Sequence, residues 1–252
     1  MSGGTEQARG AVVTGGGNGV GAAIAKAMHD GGYRVMIADI DQGAAQRVAD
    51  CLDPSGATAF AQPLDVRGKS QFEAALKVAT ARWGSVQALV NNAAMTVARP
   101  VMEISPEEFD AVIAVNLRGT FLGCQVFGSY FRDRGHGRII NMASLAGQNG
   151  GTATGAHYAA SKGGIVTLTK VFARDLGPSG VTVNAIAPGP IDSPMVHRTL
   201  TPERLAGLKA TIPVGEIGDP AFIGQLVLQL ASPAAAFANG ATWDVNGGLY
   251  LR

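Results

Sequence analysis

Two side chains four residues apart form the most reactive combination in this chain. Tyr158 and Lys162 enclose the stretch YAASK, and on a helix residues at i and i+4 share one face. A phenol has a pKa of about 10, and a neighbouring ammonium group favours its ionised form. The pair is therefore a candidate general acid/base at neutral pH. The same spacing occurs in ordinary surface pairs, so the rest of the chain has to decide between the two.

A second candidate site is a run of glycines early in the chain. It follows an apolar stretch at 11–14, precedes a helical pattern, and reads T-G-x-x-x-G-x-G rather than G-x-G-x-x-G. Glycines at such a junction let the backbone approach a pyrophosphate, and the N–H groups of the following helix attract the anion. The residues expected to contact a dinucleotide here are Gly15, Gly17, Asn18, Gly19, Val20 and Gly21.

An acidic residue follows at the interval that a dinucleotide requires. Asp39 ends the second apolar run, eighteen residues after Gly21. A carboxylate there accepts hydrogen bonds from the adenosine ribose and repels a 2′-phosphate, so we expect NAD rather than NADP. Asn18, where a basic residue would favour NADP, agrees with this. The alternative is that Asp39 only caps a helix that starts at Gln42.

The elements that must position these groups alternate along the chain. Short, mostly continuous apolar runs predict strands buried on both faces, at 11–14, 33–38, 57–62, 86–90, 137–142, 181–186 and 241–245. Helical patterns lie between them, near 20–30, 42–52, 69–82, 106–133, 156–176 and 219–231. This alternation predicts an α/β fold, a doubly wound parallel sheet of about seven strands with helices on both faces.

Composition limits the functions that are open to this chain. Its 252 residues are 46% apolar and 15% charged, which suits a single domain over 1–252. The net charge of +1 comes from 20 basic and 19 acidic residues without blocks, so we expect no nucleic-acid partner. Cys51 and Cys124 lack C-x-x-C spacing, which indicates a reducing compartment and no metal site. Without an apolar run of about 18 residues, we expect a soluble, cytoplasmic protein that contacts no membrane.

One long stretch, 188–213, shows no clear helical or strand pattern and contains five prolines. A loop of this length in a compact domain is usually functional, so we expect it to cover the substrate. An ordinary wandering connection is the alternative.

Taken together, these motifs resemble the short-chain dehydrogenase/reductase family across nearly the whole chain. The resemblance is carried by TGGGNGVG, Asp39, Asp65-Val66, NNAA at 91–94, Asn116, Ser144, Tyr158-x-x-x-Lys162 and Pro188-Gly189. It implies a single-domain, Rossmann-type sheet of seven parallel strands. The chain departs from the family pattern at Ala94, where glycine is usual, and at Ser193, where threonine is usual.

The resemblance also implies roles for four residues. Tyr158 is expected to be the catalytic acid/base, with Ser144 bonded to the substrate oxygen. Lys162 is expected to lower the pKa of the tyrosine and to bond the nicotinamide ribose. Asn116 is expected to hold a water in a proton relay behind Lys162.

The remaining implied contacts are with the cofactor. Asp65 and Val66 are expected at the adenine, Asn92 and its neighbours along the cleft, and the stretch 188–193 over the nicotinamide. Beyond the glycine run and Asp39, the expected cofactor residues are Ile40, Asp65, Val66, Asn92, Ala93, Ala94, Tyr158, Lys162, Pro188, Gly189, Ile191 and Ser193.

The function expected from these features is NAD-dependent interconversion of a secondary alcohol and a ketone. One alternative is a 3-oxoacyl-acyl-carrier-protein reductase, which ordinarily prefers NADPH and needs a basic patch beside the cleft. The candidates for that patch are Arg99, Arg132, Arg134 and Arg138. A less favoured alternative is a non-catalytic dinucleotide sensor, which would be expected to lose the tyrosine or the lysine.

Further expectations concern the substrate and the assembly. The pocket is expected to be lined by 95–97, 145–152 and the 190–210 loop, with Gln148 and Asn149 as polar exceptions, and to take a neutral, moderately hydrophobic small molecule. His157 is expected to point away from the site. Apolar surface on the helices 156–176 and 219–231 predicts a homo-oligomer, a tetramer by family resemblance.

Overall fold

The computed structural model describes residues 9–151, 154–193, 196 and 201–252 of the chain. Seven parallel strands form one sheet in the order β3-β2-β1-β4-β5-β6-β7. The strands are β1 (Arg9–Thr14), β2 (Tyr33–Asp39), β3 (Ala59–Pro63), β4 (Ala88–Asn91), β5 (Gly137–Met142), β6 (Val181–Pro188) and β7 (Thr242–Val245). The predicted doubly wound parallel sheet is confirmed, and each apolar run contributes one strand.

Helices cover both faces of this sheet. They are α1 (Gly19–Asp30), α2 (Gln42–Leu52), α3 (Lys69–Trp83), α4 (Pro106–Ile113), α5 (Gly119–Arg132), α6 (Ala146–Asn149), α7 (Ala156–Leu176), α8 (Pro202–Thr211) and α9 (Pro220–Ala231). Successive strand residues face opposite sides, so Val13 packs with α1, α2 and α9, and Val12 packs with α3, α5 and α7. The four-residue helix α6 was not predicted.

Two helices from opposite ends of the chain pack closely on one face. A Cβ atom on Gly224 of α9 would lie 2.8 Å from the carbonyl oxygen of Ala23 in α1, so glycine allows the close approach. The hydroxyl of Tyr33, at the start of β2, donates to the carbonyl of Ala231 at 2.7 Å. The last helix therefore completes the core over the first.

The helix predicted at 106–133 is continuous but not uniform. A π-helical turn, Ala114–Arg118, joins α4 to α5 and places Asn116 in its middle. The whole span, Pro106–Arg132, has a stretch with a mean hydropathy of 1.3, long and apolar enough to cross a membrane by composition. The sequence analysis did not expect such a run. Its Cys124, Phe127 and Phe131 are buried against the sheet, as in a core helix.

The expected irregular stretch at 188–213 contains the helix α8, so that prediction was wrong for its second half. Thr201 caps α8 by accepting a hydrogen bond from the N–H of Arg204 at 3.3 Å, and Pro202 occupies the first turn. Proline is a helix breaker only in the interior and is favoured at the first position. His197 and the other residues at 194, 195 and 198–200 lie outside the described residues, as do 152 and 153 at the end of the expected pocket segment 145–152.

Candidate active site

A cleft of about 830 Å³ opens at the carboxyl ends of the first four strands. Open α/β sheets bind ligands at this edge, where the strand order reverses between β1 and β4. Predicted cofactor residues on its wall are Gly15, Gly17, Asn18, Gly19, Val20, Gly21, Asp39, Ile40, Asp65, Val66, Asn92, Ala93, Ala94 and Ser193. The sequence had indicated most of this wall.

The glycine loop bends where the sequence analysis expected a sharp turn. Gly15 and Gly19 have φ angles of 62° and 52°, in the left-handed region that favours glycine. A Cβ atom on Gly21 would overlap the carbonyl oxygen of Gly15, so α1 can begin this close to the loop only with glycine there. No side chain of Asn18 caps the helix. Its first N–H groups therefore face the cleft and suit a phosphate.

Asp39 is held by the loop rather than by a helix. Its carboxylate accepts hydrogen bonds from the N–H groups of Gly17 at 2.9 Å and Asp41 at 3.0 Å. The cap of α2 is Asp41, which accepts from Ala44 at 2.9 Å. The alternative that Asp39 only caps this helix is therefore wrong.

Two arginines on the cleft wall were missed by the sequence analysis. Arg67 is bound by both carboxylate oxygens of Asp65, and this contact holds the pKa of Asp65 below its ordinary value. Arg47, on α2, lines the cleft beside Asp39 and Asp41. Among the described residues it has no carboxylate partner and makes no hydrogen bond. Because Arg47 lies on a helix and Asp39 at the end of a strand, their spacing in the sequence does not indicate that they face the same cleft.

Asn92, which directly follows β4, connects the end of that strand to the glycine loop. Its side-chain amide donates to the carbonyls of Thr14 at 3.0 Å and Gly15 at 2.9 Å. The hydroxyl of Thr14 in turn accepts from the N–H groups of Asn92 and Ala93. Asn92 thus fixes the shape of the loop as well as lining the cleft.

The predicted reactive residues meet where β5 ends and α7 begins. Ser144 follows β5, and its side chain lies near enough to the phenol of Tyr158, in the first turn of α7, to lower the pKa of that phenol. Lys162 lies one turn further on, with its Nζ 5.6 Å from the centre of the tyrosine ring. The structure therefore brings these three predicted residues together.

Burial shifts both titratable groups of this site. It raises the pKa of Tyr158, while the hydrogen bond from Ser144 works in the opposite direction. It lowers the pKa of Lys162 from 10.5 to about 8, because desolvation disfavours the ammonium. The Lys162 Nζ donates to the carbonyl of Met142 at 2.6 Å. The expected lowering of the Tyr158 pKa by Lys162 is not found: burial is the main cause of the shift and Ser144 is the group that opposes it.

Asn116 is fully buried, and both the nitrogen and the oxygen of its side-chain amide are hydrogen-bonded. Its amide donates to the carbonyl of Met95 at 2.9 Å and the hydroxyl of Ser161 at 3.0 Å, and its oxygen accepts from the N–H of Met95 at 2.7 Å. The hydroxyl of Ser161 donates to the carbonyl of Tyr158 at 2.7 Å. Asn116 therefore joins the cleft wall to the helix of the tyrosine, and within the described residues its side chain does not contact Lys162 directly.

The predicted covering stretch lies beside this reactive end. The N–H of Leu145 donates to the carbonyl of Pro188 at 2.9 Å, and Gly189 donates to Val245 at 2.8 Å. Ile191 forms a bridge with Gly218. Pro188, Gly189 and Ile191 lie outside the wall of the large cleft, as do Tyr158 and Lys162, whereas Ser193 lies on it. The stretch 188–193 therefore begins next to Leu145, the neighbour of Ser144, and ends at Ser193 on the wall of the cleft.

The four arginines predicted to form a basic patch do not come together beside the cleft. Arg132 and Arg134 precede β5 and Arg138 is its second residue, so they lie at the opposite edge of the sheet from Ser144. Arg138 is buried and donates to the carbonyl of Ser232. Arg99 is paired with Glu108 at 2.8 Å. The direction of β5, from these arginines towards Ser144, therefore separates the predicted patch from the reactive residues.

Comparison with known proteins decides the family. A family model described as Enoyl-(Acyl carrier protein) reductase matches residues 15–250. The chain belongs to the short-chain dehydrogenase/reductase family.

Several curated members of this family align over nearly their full length. The 3-oxoacyl-acyl-carrier-protein reductase FabG of Vibrio cholerae is 38% identical over 242 residues, covering 96% of this chain and 97% of that protein. The 2-(S)-hydroxypropyl-CoM dehydrogenase 3 of Xanthobacter autotrophicus is also 38% identical, with 94% of each chain covered. The D-threitol dehydrogenase of Mycolicibacterium smegmatis is 36% identical, covering 96% of this chain and 93% of its own.

The short-chain dehydrogenase/reductase family consists of oxidoreductases that use nicotinamide dinucleotides. The residues on the cleft wall fit such a group, because the open start of α1 suits a pyrophosphate and Asp39 suits a ribose. The predicted nicotinamide dinucleotide class is therefore confirmed at the level of the family.

Proposed function

We propose that the chain is an NAD-dependent oxidoreductase that interconverts a secondary alcohol and a ketone. The observation that carries this proposal is the convergence of Ser144, Tyr158 and Lys162: Ser144 lies near enough to the phenol to lower its pKa, and the buried Lys162 Nζ is 5.6 Å from the centre of the tyrosine ring. A substrate oxygen placed between the two hydroxyls meets a proton donor and acceptor on each side.

In this mechanism the chain's own residues manage the proton and the substrate oxygen. Tyr158 takes the proton from the alcohol, or returns it to the ketone oxygen in the reverse direction, while Ser144 holds that oxygen by a hydrogen bond. A protonated Lys162 stabilises the phenolate formed at Tyr158. The bound dinucleotide supplies hydride transfer to and from the carbon. Ser161 and Asn116 fix the turn of α7 that carries the tyrosine.

The preference for NAD rests on Asp39. Its carboxylate lies on the cleft wall and is oriented by Gly17 and Asp41. A carboxylate in this place accepts bonds from both ribose hydroxyls and repels a 2′-phosphate. We propose that the predicted cofactor residues on the cleft wall bind the dinucleotide. At its nicotinamide end, the proposed contacts are Tyr158, Lys162, Pro188, Gly189 and Ile191.

The proposed substrate is a neutral, moderately hydrophobic small molecule. Of the two expected polar residues of the pocket, Gln148 is already bound, since its amide donates to the carboxylate of Asp244. The pocket near Ser144 therefore offers fewer unbonded polar groups to a substrate than the sequence indicated. This favours a substrate that is apolar away from its reacting oxygen. We also propose a cytoplasmic homo-oligomer without nucleic-acid or membrane partners.

The second candidate is a 3-oxoacyl-acyl-carrier-protein reductase. It is favoured by the similarity to FabG of Vibrio cholerae and of Escherichia coli, at 38% and 37% identity. Asp39 argues against the NADPH preference expected of it, and the arginines proposed for a carrier patch lie elsewhere or are paired. A non-catalytic sensor is less favoured, because Ser144, Tyr158 and Lys162 are all retained.

The proposed function is tested by reduced-nicotinamide absorbance with a panel of secondary alcohols and 3-oxoacyl thioesters, each with NAD and with NADP. Tyr158→Phe is expected to lower turnover at least about 1000-fold while NAD still binds, because it removes only the proton-carrying oxygen. Binding is measured by fluorescence titration. Wild-type turnover by Tyr158→Phe would remove the tyrosine from the mechanism, and a clear preference for 3-oxoacyl thioesters with NADPH would favour the second candidate.

A further inference from the structure

A fully buried histidine adjoins the reactive tyrosine and has no part in the proposed chemistry. His157 is 0% exposed and is the second residue of α7. Its Nε2 lies 3.2 Å from the carboxylate of Glu108, in α4. A buried ionisable side chain needs partners, and this one has two.

The second partner of the ring is the backbone of the tyrosine itself. The N–H of Tyr158 lies 3.0 Å from Nδ1 of His157. A backbone N–H can only donate, so Nδ1 carries no proton and the ring proton of the neutral imidazole lies on Nε2, facing Glu108. The imidazole thus links the carboxylate of α4 to the first turn of α7. The same N–H also donates to the carbonyl of Gly155 at 3.1 Å, so the imidazole and the residue before α7 share this donor.

The anchor of this link is itself fixed. Glu108 binds the guanidinium of Arg99 with both carboxylate oxygens, at 3.0 and 2.8 Å. The N–H of Gly155 donates to the carbonyl of Val97 at 3.2 Å, two residues before Arg99. Three segments, around residue 99, in α4 and at the start of α7, therefore meet at one histidine.

The packing leaves the ring little room to move. A Cβ atom on Gly155 would overlap Cε1 of His157 and would lie 2.7 Å from the carbonyl oxygen of Val97. Only glycine fits between the imidazole and this loop. The ring is therefore held by contact on one side and by hydrogen bonds at both nitrogens.

We propose that His157 is a positioning residue for Tyr158: by bridging Glu108 and the Tyr158 N–H, it sets the first turn of α7 so that the phenol meets Ser144. The inference rests on the proposed function, since it requires Tyr158 to act on the substrate. A shift of the first turn moves the phenol away from the substrate oxygen, and a displacement of about 1 Å costs up to about 100-fold in rate.

Two substitutions separate the two contacts of the ring. The amide of His157→Asn can occupy the place of Nδ1 and accept from Tyr158, whereas the longer amide of His157→Gln can reach Glu108 in place of Nε2. His157→Ala loses both contacts. We expect kcat to fall by about 10- to 100-fold in His157→Ala and by less in each amide variant, with KM for NAD changed by less than about twofold.

A second measurement needs no substrate. Spectrophotometric titration of wild type minus Tyr158→Phe isolates the ionisation of Tyr158 from the other tyrosines. The same difference is measured in the His157→Ala background. Because the bond from Ser144 lowers the pKa of Tyr158, losing that alignment is expected to raise this pKa further.

Leu176→Val is the matched control, a buried substitution at the far end of the same helix. It is expected to lower the melting temperature without changing kcat or the titration of Tyr158. Glu108→Leu, which keeps the approximate size of the anchor but removes both of its acceptor oxygens, repeats the test should His157→Ala fail to fold. Wild-type kcat and titration in the His157 or Glu108 variants, beside an inactive Tyr158→Phe, would overturn the role of His157 alone. Full turnover by Tyr158→Phe would overturn the proposed function and the positioning role with it.

Discussion

At the scale of single residues, Asp39 and Arg47 place opposite charges on the same end of the cleft. Asp39 opposes a 2′-phosphate, while the guanidinium of Arg47, which has no carboxylate partner in the described part of the chain, attracts one. We expect NAD to be preferred, with a residual use of NADP that depends on Arg47. Arg47→Gln should lower kcat/KM for NADP by about tenfold, the effect of one charge-assisted contact, and leave that for NAD unchanged.

The control for this prediction is Arg34→Gln, which removes a cation from β2 outside the cleft wall. Arg34→Gln is expected to leave kcat/KM unchanged for both NADP and NAD. Equal losses with NAD and NADP in Arg47→Gln would mean that Arg47 supports the fold of α2 rather than the choice of cofactor.

Lys162 makes the stability of the protein depend on pH in a defined direction. Its pKa is about 8 in the fold against 10.5 in the unfolded chain. The unfolded state therefore binds more protons between these values, so stability rises with pH through this window. The cost of burying the ammonium, roughly 3 kcal/mol, is present in full below pH 8.

Lys162→Met removes this titration. Relative to that variant, wild type should gain stability steadily as the pH is raised from about 8 to 10. Denaturant midpoints of both proteins across this range provide the measurement. A difference between them that does not vary with pH would show that Lys162 titrates normally in the fold.

At the scale of elements, the contact between α6 and α7 sets the distance between Ser144 and Tyr158. A Cβ atom on Gly147 of α6 would lie 2.5 Å from the carbonyl carbon of Lys162. Gly147→Ala must therefore separate the two helices, at a cost of about 1–3 kcal/mol, and should reduce kcat as well as the free energy of unfolding.

Gly207→Ala offers a control for the same chemical change. A Cβ atom there meets nothing within 4 Å, and the residue lies inside α8. This substitution should stabilise by about 0.4–1 kcal/mol without altering kcat. Thermal melts and initial rates of both variants distinguish the two glycines, and a Gly147→Ala enzyme with wild-type rate would show that α6 does not position Ser144.

Elements were more predictable from the sequence than the contacts between them. Buried parallel strands are continuous apolar runs, so 33–38 was identified within one residue of β2. The helix α8 was missed because the whole stretch 188–213, with its five prolines, was taken as irregular, and α6 because four residues carry no periodicity. Arg47 and the bridge through His157 depend on which helix faces which, and a single sequence does not encode that in its spacing.

At the scale of the whole molecule, exposed apolar side chains predict assembly. Val171 of α7 is 53% exposed and Phe222 of α9 is 58% exposed, on the two helices where the sequence analysis expected contacts between subunits. Large exposed apolar groups commonly mark interfaces. We expect a tetramer, and Val171→Glu and Phe222→Glu should each reduce it to a smaller species in sedimentation velocity.

The control is Lys77→Glu on α3, which changes charge on a helix with no proposed interface. It is expected to leave the sedimentation coefficient unchanged. A monomer at micromolar concentration for the unmodified chain would contradict the prediction, whatever the variants do.

The packing of α9 on α1 also fixes when the chain can finish folding during synthesis. Ile24 and Met28 emerge from the ribosome about 200 residues before Val227 and Leu230, which cover them. At 5–20 residues per second, the nascent chain waits roughly 10 to 40 s with that face exposed. Translation that stops before residue 220 therefore leaves an uncovered apolar surface, an expected target for chaperones and proteases.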